Sequence, residues 1–216
     1  MGYDLPPVTR ALLFANIAVY LVQQVAGNFM LIWFALWPLG PAQVVGVDDG
    51  VAVTAGFEVW QLVTYGFLHG SFAHIAFNML ALWMFGGAIE QLFGARPFAL
   101  YYFVCVIGAA VTQLAVMHFF PSGFSPTLGA SGGIFGLLLA FGMMYPHQRI
   151  LVYFAIPMPA WLFVTGYGAL ELFYGVTGRD EGVAHFAHLG GLAFGFVLIE
   201  YWRGRFPFKP RRLLMR

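Results

Sequence analysis

Six apolar stretches, separated by glycine, proline and charged residues, constrain the fold of this chain more than any other feature. They run roughly over residues 11–34, 71–92, 97–119, 131–146, 150–176 and 184–202. About 20 helical residues cross a hydrocarbon core of about 30 Å, so six transmembrane helices are predicted. The fourth stretch is only 16 residues long. It is expected to begin inside the membrane, sheltered by its neighbours.

The composition excludes an ordinary soluble domain. Of 216 residues, 61% are hydrophobic and 9% are charged, whereas soluble domains carry about 45–50% apolar and about 25% charged residues. The net charge is +1, and outside the C-terminal tail no basic patch indicates a nucleic-acid partner. We expect an all-α integral membrane protein in the lipid bilayer, with one polytopic domain over residues 1–203 and a short basic tail over 204–216.

The distribution of Lys and Arg predicts the orientation. An even number of helices places both termini on one side, and of the ten cationic side chains only Arg179 falls in a loop on the other side. The positive-inside rule then puts both termini in the cytoplasm. The N-terminus lacks the features of a cleaved signal peptide, so the first helix is expected to be retained. The long link over residues 35–70, flanked by tryptophans, is predicted to be an outward loop between helices 1 and 2.

Polar residues converge on the outward half of the predicted bundle. Ser131 opens the short fourth helix, and His185 and His188 lie at the start of the sixth. His74 and Asn78, four residues apart, share one face of the second helix. Strongly polar groups within a membrane span are costly and indicate a functional site by default. The predicted topology brings these five side chains to a similar depth.

Glycine spacing predicts which helices touch, because small residues let transmembrane backbones approach closely. Glycines surround Ser131 in the fourth helix and follow His188 in the sixth: Gly129, Gly132, Gly133, Gly136, Gly191 and Gly195. Packing of these two faces would set His188 beside Ser131. A serine nucleophile needs such an imidazole to remove its proton.

Two further features of a site with a serine nucleophile can be predicted, namely a partner for His188 and donors to the oxyanion. No carboxylate is obviously placed to orient His188, since Glu171 lies on the fifth helix, so a Ser-His dyad and not a triad is expected. The developing oxyanion of an acyl-transfer reaction needs hydrogen-bond donors. His74 and Asn78 offer side-chain N–H groups, and Ser131 offers its backbone N–H.

Other interpretations stay open at this point. A serine in a glycine-rich span is more often a packing residue, and His69 is interpreted as a structural loop anchor. The histidine cluster could bind a metal, although no H-E-x-x-H motif is present and carboxylates are sparse. A transporter would predict deeper charges and a repeat between the two halves, and neither is seen.

Five sequence blocks resemble the signature blocks of rhomboid intramembrane proteases. They occur in the family's order across residues 57–202 and together are highly specific. The blocks are Trp60-Gln61-Leu62-Val63-Thr64 leading to His69, His74-x-x-x-Asn78, Gly86-Gly87-Ala88-Ile89-Glu90, Gly129-Ala130-Ser131-Gly132 and Ala187-His188-Leu189-Gly190-Gly191.

The resemblance implies a minimal six-helix rhomboid bundle in the inner (cell) membrane of a bacterium. It implies serine endopeptidase activity on transmembrane protein substrates, with Ser131 and His188 as catalytic dyad, His74 and Asn78 as oxyanion donors, and no metal or cofactor. It further implies a water-filled outward cavity and a gate formed by the fifth helix. Phe135 stands where a tyrosine is common in the family, which keeps the ring packing and removes the hydroxyl.

Overall fold

The computed structural model describes residues 5–121, 123–152, 155–178 and 184–207. Its α-helices, in chain order, are α1 (Pro7–Ala26), α2 (Asn28–Phe34), α3 (Gln61–Thr64), α4 (Phe72–Ala81), α5 (Gly87–Phe93), α6 (Ala95–Phe119), α7 (Ser131–Met144), α8 (Ala160–Thr177) and α9 (His185–Trp202). Two antiparallel hairpins accompany them, formed by β1 (Gln43–Asp48) with β2 (Val51–Ala55) and by β3 (Arg149–Val152) with β4 (Ile156–Pro159).

Three helical stretches of the described chain are long and apolar enough to cross a membrane: Pro7–Ala26, Phe72–Phe93 and Ala95–Phe119. The second of these joins α4 to α5 through a π-helical turn over Leu82–Gly86. Helix α7 has 14 residues, in line with the predicted short helix. Helices α8 and α9 have 18 residues each, but Glu171 and Glu200 reduce their apolar character.

Two predicted stretches are not single helices. The first breaks at Gly27, which has a φ of +52°, and continues as α2. The fifth begins with the β3–β4 hairpin, in which Arg149 pairs with Pro159 and Ile150 with Met158. Helix α8 therefore starts ten residues later than predicted, at Ala160. Proline explains the change, because Pro157 and Pro159 have no N–H to donate to a helix.

Helix α6 packs against both α7 and α9. Phe98, Tyr101 and Tyr102 of this helix are almost fully buried. The hydroxyl of Tyr101 donates to the carbonyl of Gly136 in α7 at 2.7 Å. A buried hydroxyl that finds an acceptor avoids a large desolvation cost. The tyrosine thus fixes α7 against α6 while its ring fills the core.

A buried carboxylate holds α1 against the end of α5. Glu90 is 2% exposed and accepts hydrogen bonds from the N–H of Val8 at 2.9 Å, the N–H of Thr9 at 2.7 Å and the hydroxyl of Thr9 at 2.8 Å. The first N–H groups of a helix have no partner within it and favour a negative charge. Glu90 therefore caps α1 at the end of the bundle that lies away from Ser131.

We expect Glu90→Ala to lower the free energy of unfolding by about 2–4 kcal/mol, because buried donors lose a charged acceptor. Thermal unfolding of the purified protein in detergent would measure the change. Glu58→Ala removes an exposed carboxylate and serves as the control. Equal unfolding midpoints for the two variants would contradict the capping role of Glu90.

Candidate active site

Ser131 and His188 lie side by side, as the glycine spacing predicted. Ser131 is the first residue of α7, and His188 lies in the first turn of α9. The hydroxyl oxygen of Ser131 is 2.8 Å from Nε2 of His188, so the hydroxyl can donate to an imidazole nitrogen that carries no proton. His188 is 9% exposed. This is the arrangement of a nucleophile and its general base.

Glycine makes this arrangement possible. A side chain at Gly191 of α9 would collide with the carbonyl oxygen of Gly132 in α7, and one at Gly132 would also collide with Ala109 of α6. The predicted contact between the two helices is therefore confirmed. Gly133 and Gly195 serve a different contact, since a side chain at either would meet a tyrosine of α6.

The segment before Ser131 is held by the long loop that follows α2. Leu36 and Thr127 exchange two backbone hydrogen bonds of 2.9 and 2.8 Å. Gly129 has a φ of +127°, which favours glycine, and a side chain there would lie 2.7 Å from His74. The turn into α7 thus passes close to His74. The backbone N–H of Ser131, at the first position of α7, is not used by the helix itself.

His74 and Asn78 line a cavity of about 750 Å³ together with Ser131 and His188. Nδ1 of His74 accepts a long hydrogen bond of 3.4 Å from the N–H of Gly70, which leaves Nε2 to carry the proton of the neutral ring. Nδ2 of Asn78 is buried and has no hydrogen-bond partner among the described residues. Buried donors without a partner are costly. The cavity therefore offers donors to an oxygen atom of a ligand.

His69 forms the wall behind His74. Its ring is 1% exposed and lies edge-on to the ring of His74, with centroids 5.0 Å apart. The side chain of Gln23 donates to the carbonyl of His69 at 2.9 Å and accepts from its N–H at 3.1 Å. Burial, and secondly the neighbouring His74, lower the pKa of His69 to about 4. A neutral, doubly anchored residue fits the structural role expected of His69.

Phe135 stacks on the imidazole of His188. The two ring centroids are 4.2 Å apart and the ring planes differ by 9°. Tyr167 of α8 contacts Phe135 in turn, with centroids 5.0 Å apart. The ring packing that the sequence predicted is therefore present at this position. It restricts the imidazole to one plane without any hydroxyl on the stacked ring.

A carboxylate lies beside His188, where none was expected. Oε2 of Glu171 is 2.9 Å from Nδ1 of His188 and 2.6 Å from Nδ1 of His185. The contact with His185 is a hydrogen bond, whereas the contact with His188 is at ion-pair distance but outside hydrogen-bond angles. Glu171, His185 and His188 are 4%, 6% and 9% exposed. No carboxylate was expected beside His188 from the sequence, and that expectation is wrong.

The same three side chains could hold a metal ion, although the metal site left open from the sequence was one of histidines. Their ligand atoms lie within 4.8 Å of one another. Around zinc, ligand distances of about 2.0–2.2 Å place neighbouring ligands about 3.3 Å apart. The imidazole–carboxylate contacts of 2.6 and 2.9 Å are shorter than that. They fit a direct imidazole–carboxylate network better than a pair of ligands to one ion.

Comparison with known proteins identifies the family of the chain. Residues 56–204 match the family model of the Rhomboid domain, which is more than half of the chain. The chain belongs to the rhomboid family. Rhomboids are membrane helical bundles, and the three apolar spans agree with an integral membrane protein. All four predicted site residues, Ser131, His188, His74 and Asn78, lie within the matched region.

Three curated rhomboids illustrate the similarity. The chain is 28% identical over 207 residues to "Rhomboid protease GlpG" of Photorhabdus laumondii, covering 94% of this chain and 64% of that protein. It is 29% identical to "Rhomboid protease GlpG" of Klebsiella pneumoniae, covering 92% and 64%. It is 33% identical to "Rhomboid protein 1, mitochondrial" of Saccharomyces cerevisiae, covering 63% and 40%. This rhomboid thus spans slightly less than two thirds of the length of the GlpG relatives.

Sequence reasoning about this rhomboid missed the place of Glu171. Helical spacing relates residues on one helix, whereas Glu171 reaches His188 from another helix. The packing of α8 against α9 decides that contact. One signal was present, because an ionisable residue inside an apolar stretch is by default a functional candidate.

We expect Gly191→Ala to destabilise this rhomboid by about 1–3 kcal/mol or more, because the methyl group must push α9 away from the carbonyl of Gly132. Thermal unfolding in detergent would measure it. Gly166→Ala in α8 is the matched control, since a side chain there meets nothing within 4 Å. An unfolding midpoint for Gly191→Ala equal to that of the control would show that the two helices do not need this glycine.

Proposed function

We propose that this rhomboid is an intramembrane serine endopeptidase that hydrolyses peptide bonds in or near the transmembrane segments of other membrane proteins. The observation that carries the proposal is the 2.8 Å distance between the hydroxyl oxygen of Ser131 and Nε2 of His188. Membership of a family whose curated relatives are named rhomboid proteases supports it. The reaction needs no metal or cofactor.

Ser131 is the nucleophile and His188 its general base. As the hydroxyl oxygen attacks the scissile carbonyl carbon, Nε2 of His188 takes the hydroxyl proton. The tetrahedral intermediate collapses when the imidazolium gives this proton to the leaving amine, which departs and leaves an acyl-enzyme. Water then attacks the ester, with His188 again as base, and releases the second product and free Ser131.

His74, Asn78 and the backbone N–H of Ser131 stabilise the oxyanion. Support comes from the unpartnered Nδ2 of Asn78 and from the hydrogen bond that leaves the proton of His74 on Nε2. Donors that are in place before the reaction stabilise developing charge without reorganisation. The cavity of about 750 Å³ around them gives room for a peptide segment and for water.

The substrate is expected to enter between α4 and α8. A groove of about 520 Å³ lies there and is lined almost wholly by apolar side chains, Phe77, Met84, Leu162 and Leu170 among them. Phe77, Ala81, Phe85, Phe163 and Tyr167 line both this groove and the larger cavity. A transmembrane helix that unwinds easily could pass along this route from lipid to Ser131.

The proposed topology has six transmembrane helices with both termini in the cytoplasm of a bacterial cell, over one domain of residues 1–203. At the end of α9, Glu200 pairs with Arg203 at 3.1 Å and with Arg205 at 2.6 Å. The greater part of the basic tail, residues 208–216, lies outside the described residues, as does Arg179.

Ser131→Ala and His188→Ala should each reduce labelling by a fluorophosphonate probe by about 10³-fold or more, because the first variant lacks the hydroxyl and the second lacks the base that activates it. Mass spectrometry of the adduct would locate the labelled residue. Ser125→Ala, in the lining of the same cavity, and His118→Ala, on an exposed part of α6, are matched controls that should label normally. A folded wild-type protein that does not label would contradict the proposed function.

Asn78→Ala should lower kcat/KM on a transmembrane peptide substrate by about 10²–10³-fold, or by less where His74 compensates. The physical reason is the loss of one donor to the oxyanion. Met79→Ala, at the next position of α4 but outside the lining of the cavity, should retain nearly full activity. If Asn78→Ala were as active as Met79→Ala, and the double variant with His74→Ala likewise, the oxyanion role of these side chains would be wrong.

A further inference from the structure

Glu171 is an unusual residue for the helix that carries it. Of the 18 residues of α8, the buried ones are Ala160, Val164 and Glu171. The first two anchor the end of α8 that follows the β3–β4 hairpin. Glu171, two turns beyond Val164, is the buried anchor of the other half. The buried side chain of that half is thus a carboxylate and not an apolar group.

The attachment point is the imidazole pair of α9. Glu171 contacts Nδ1 of both His185 and His188 through one oxygen, at 2.6 and 2.9 Å. Nε2 of His188 points the other way, to the hydroxyl of Ser131. The three groups Glu171, His188 and Ser131 therefore form one continuous chain of polar contacts. With Nδ1 protonated, Nε2 is free to accept a proton, which is the tautomer that a general base requires.

We propose that Glu171 is a positioning residue for His188: its carboxylate keeps the proton of the imidazole on Nδ1, and its negative charge stabilises the imidazolium that forms during catalysis. This inference rests on the proposed function and adds to it a third member supplied by α8. The 2.9 Å contact lies outside hydrogen-bond angles in the resting geometry. Catalytic hydrogen bonds often tighten only when substrate is bound.

Burial makes the charge of Glu171 effective. A carboxylate that is 4% exposed interacts with its neighbours across a low dielectric, so its effect on an imidazole is larger than in water. His185 shares the same oxygen and holds the carboxylate in place. Among the described residues, the polar groups around His188 include Ser131 of α7, Glu171 and Tyr167 of α8, His185 of α9 and His74 of α4.

The position of Glu171 also links the base to the proposed entry route. Tyr167 and Leu170 of the same helix line the groove between α4 and α8. An outward movement of this half of α8 would draw the carboxylate away from His188. His188 would then regain its contact with Glu171 only when α8 moves back against α9. The catalytic geometry and the position of α8 are therefore coupled through one side chain.

The pH dependence of catalysis tests the proposal. The rate of fluorophosphonate labelling and kcat/KM on a transmembrane peptide would be measured from about pH 5 to pH 9, the range in which histidine titrates. In Glu171→Gln, the plateau rate should fall about 10–100-fold. This is less than the about 10⁴-fold loss in a soluble triad whose carboxylate is neutralised, because the resting contact between Glu171 and His188 lies outside hydrogen-bond angles. The acid limb of the pH–rate profile, where the rate rises with pH, should move to lower pH by about one unit or more. The reason is that a nearby negative charge no longer favours the protonated base.

Two further variants separate positioning from simple structural support. Glu171→Asp keeps the charge and should retain the acid limb of the wild type with a modest loss of rate. Glu90→Gln neutralises another buried carboxylate, at the far end of the bundle. It should lower thermal stability without moving the acid limb. All rates are to be expressed per folded protein, as judged by gel filtration and circular dichroism.

The outcomes are distinct. A shifted acid limb in Glu171→Gln, with an unshifted limb in Glu171→Asp, supports the proposal. A folded Glu171→Gln whose limb matches the wild type overturns it, whether or not the rate falls. If Glu171→Gln does not fold, Glu171→Asp decides: a reduced rate with the wild-type limb supports the proposal, and the full wild-type rate overturns it. A wild-type protein that never labels is a failure of the proposed function, not of this inference alone.

Discussion

The contact between α7 and α9 is the constraint on which the rest of the site depends. At Gly132 and Gly191 the two backbones are so close that a single methyl group on Gly191 would strike a carbonyl oxygen. Interhelical distances of about 8–10 Å are set by the side chains at the contact, and the absence of side chains at Gly132 and Gly191 lets the helices that carry Ser131 and His188 approach closely. Tyr101 of α6, bonded to the carbonyl of Gly136, supports the same pair of helices from behind.

Three buried carboxylates in the described part of the chain illustrate how this bundle accommodates charge. Glu90 accepts hydrogen bonds from the start of α1, and Glu200 pairs with Arg203 and Arg205. Both lie at the end of the bundle away from Ser131. Their partners, helix N–H groups for Glu90 and guanidinium groups for Glu200, favour a negative charge and belong to the structure of the bundle. Glu171 lies at the Ser131 end, and its partners are imidazoles. Buried charges require partners in every case, and here the partner decides whether the carboxylate supports the fold or the chemistry.

Helix α8 differs from its neighbours in how it is held. α6, α7 and α9 interlock through glycines and buried tyrosines, whereas most of α8 is exposed and the buried residue of its described outer half is Glu171. Packed apolar faces resist displacement because their contacts are many and lose energy together. A polar anchor can be released and remade at one point. The proposed entry of substrate beside α8 is consistent with that division.

Much of the fold and site could be predicted from the sequence, because the solvent and the backbone limit the choices so strongly. Apolar length predicts helices, and glycine spacing at Ser131 and His188 predicts the contact that brings them together. Periodicity relates residues of one helix, so it placed His74 and Asn78 on a shared face. Periodicity could not place Glu171 beside His188, because the two residues lie on different helices. Likewise the β3–β4 hairpin depends on prolines and on pairing between segments. Contacts of this kind are decided only when the helices pack, since their rotation and relative depth are tertiary properties.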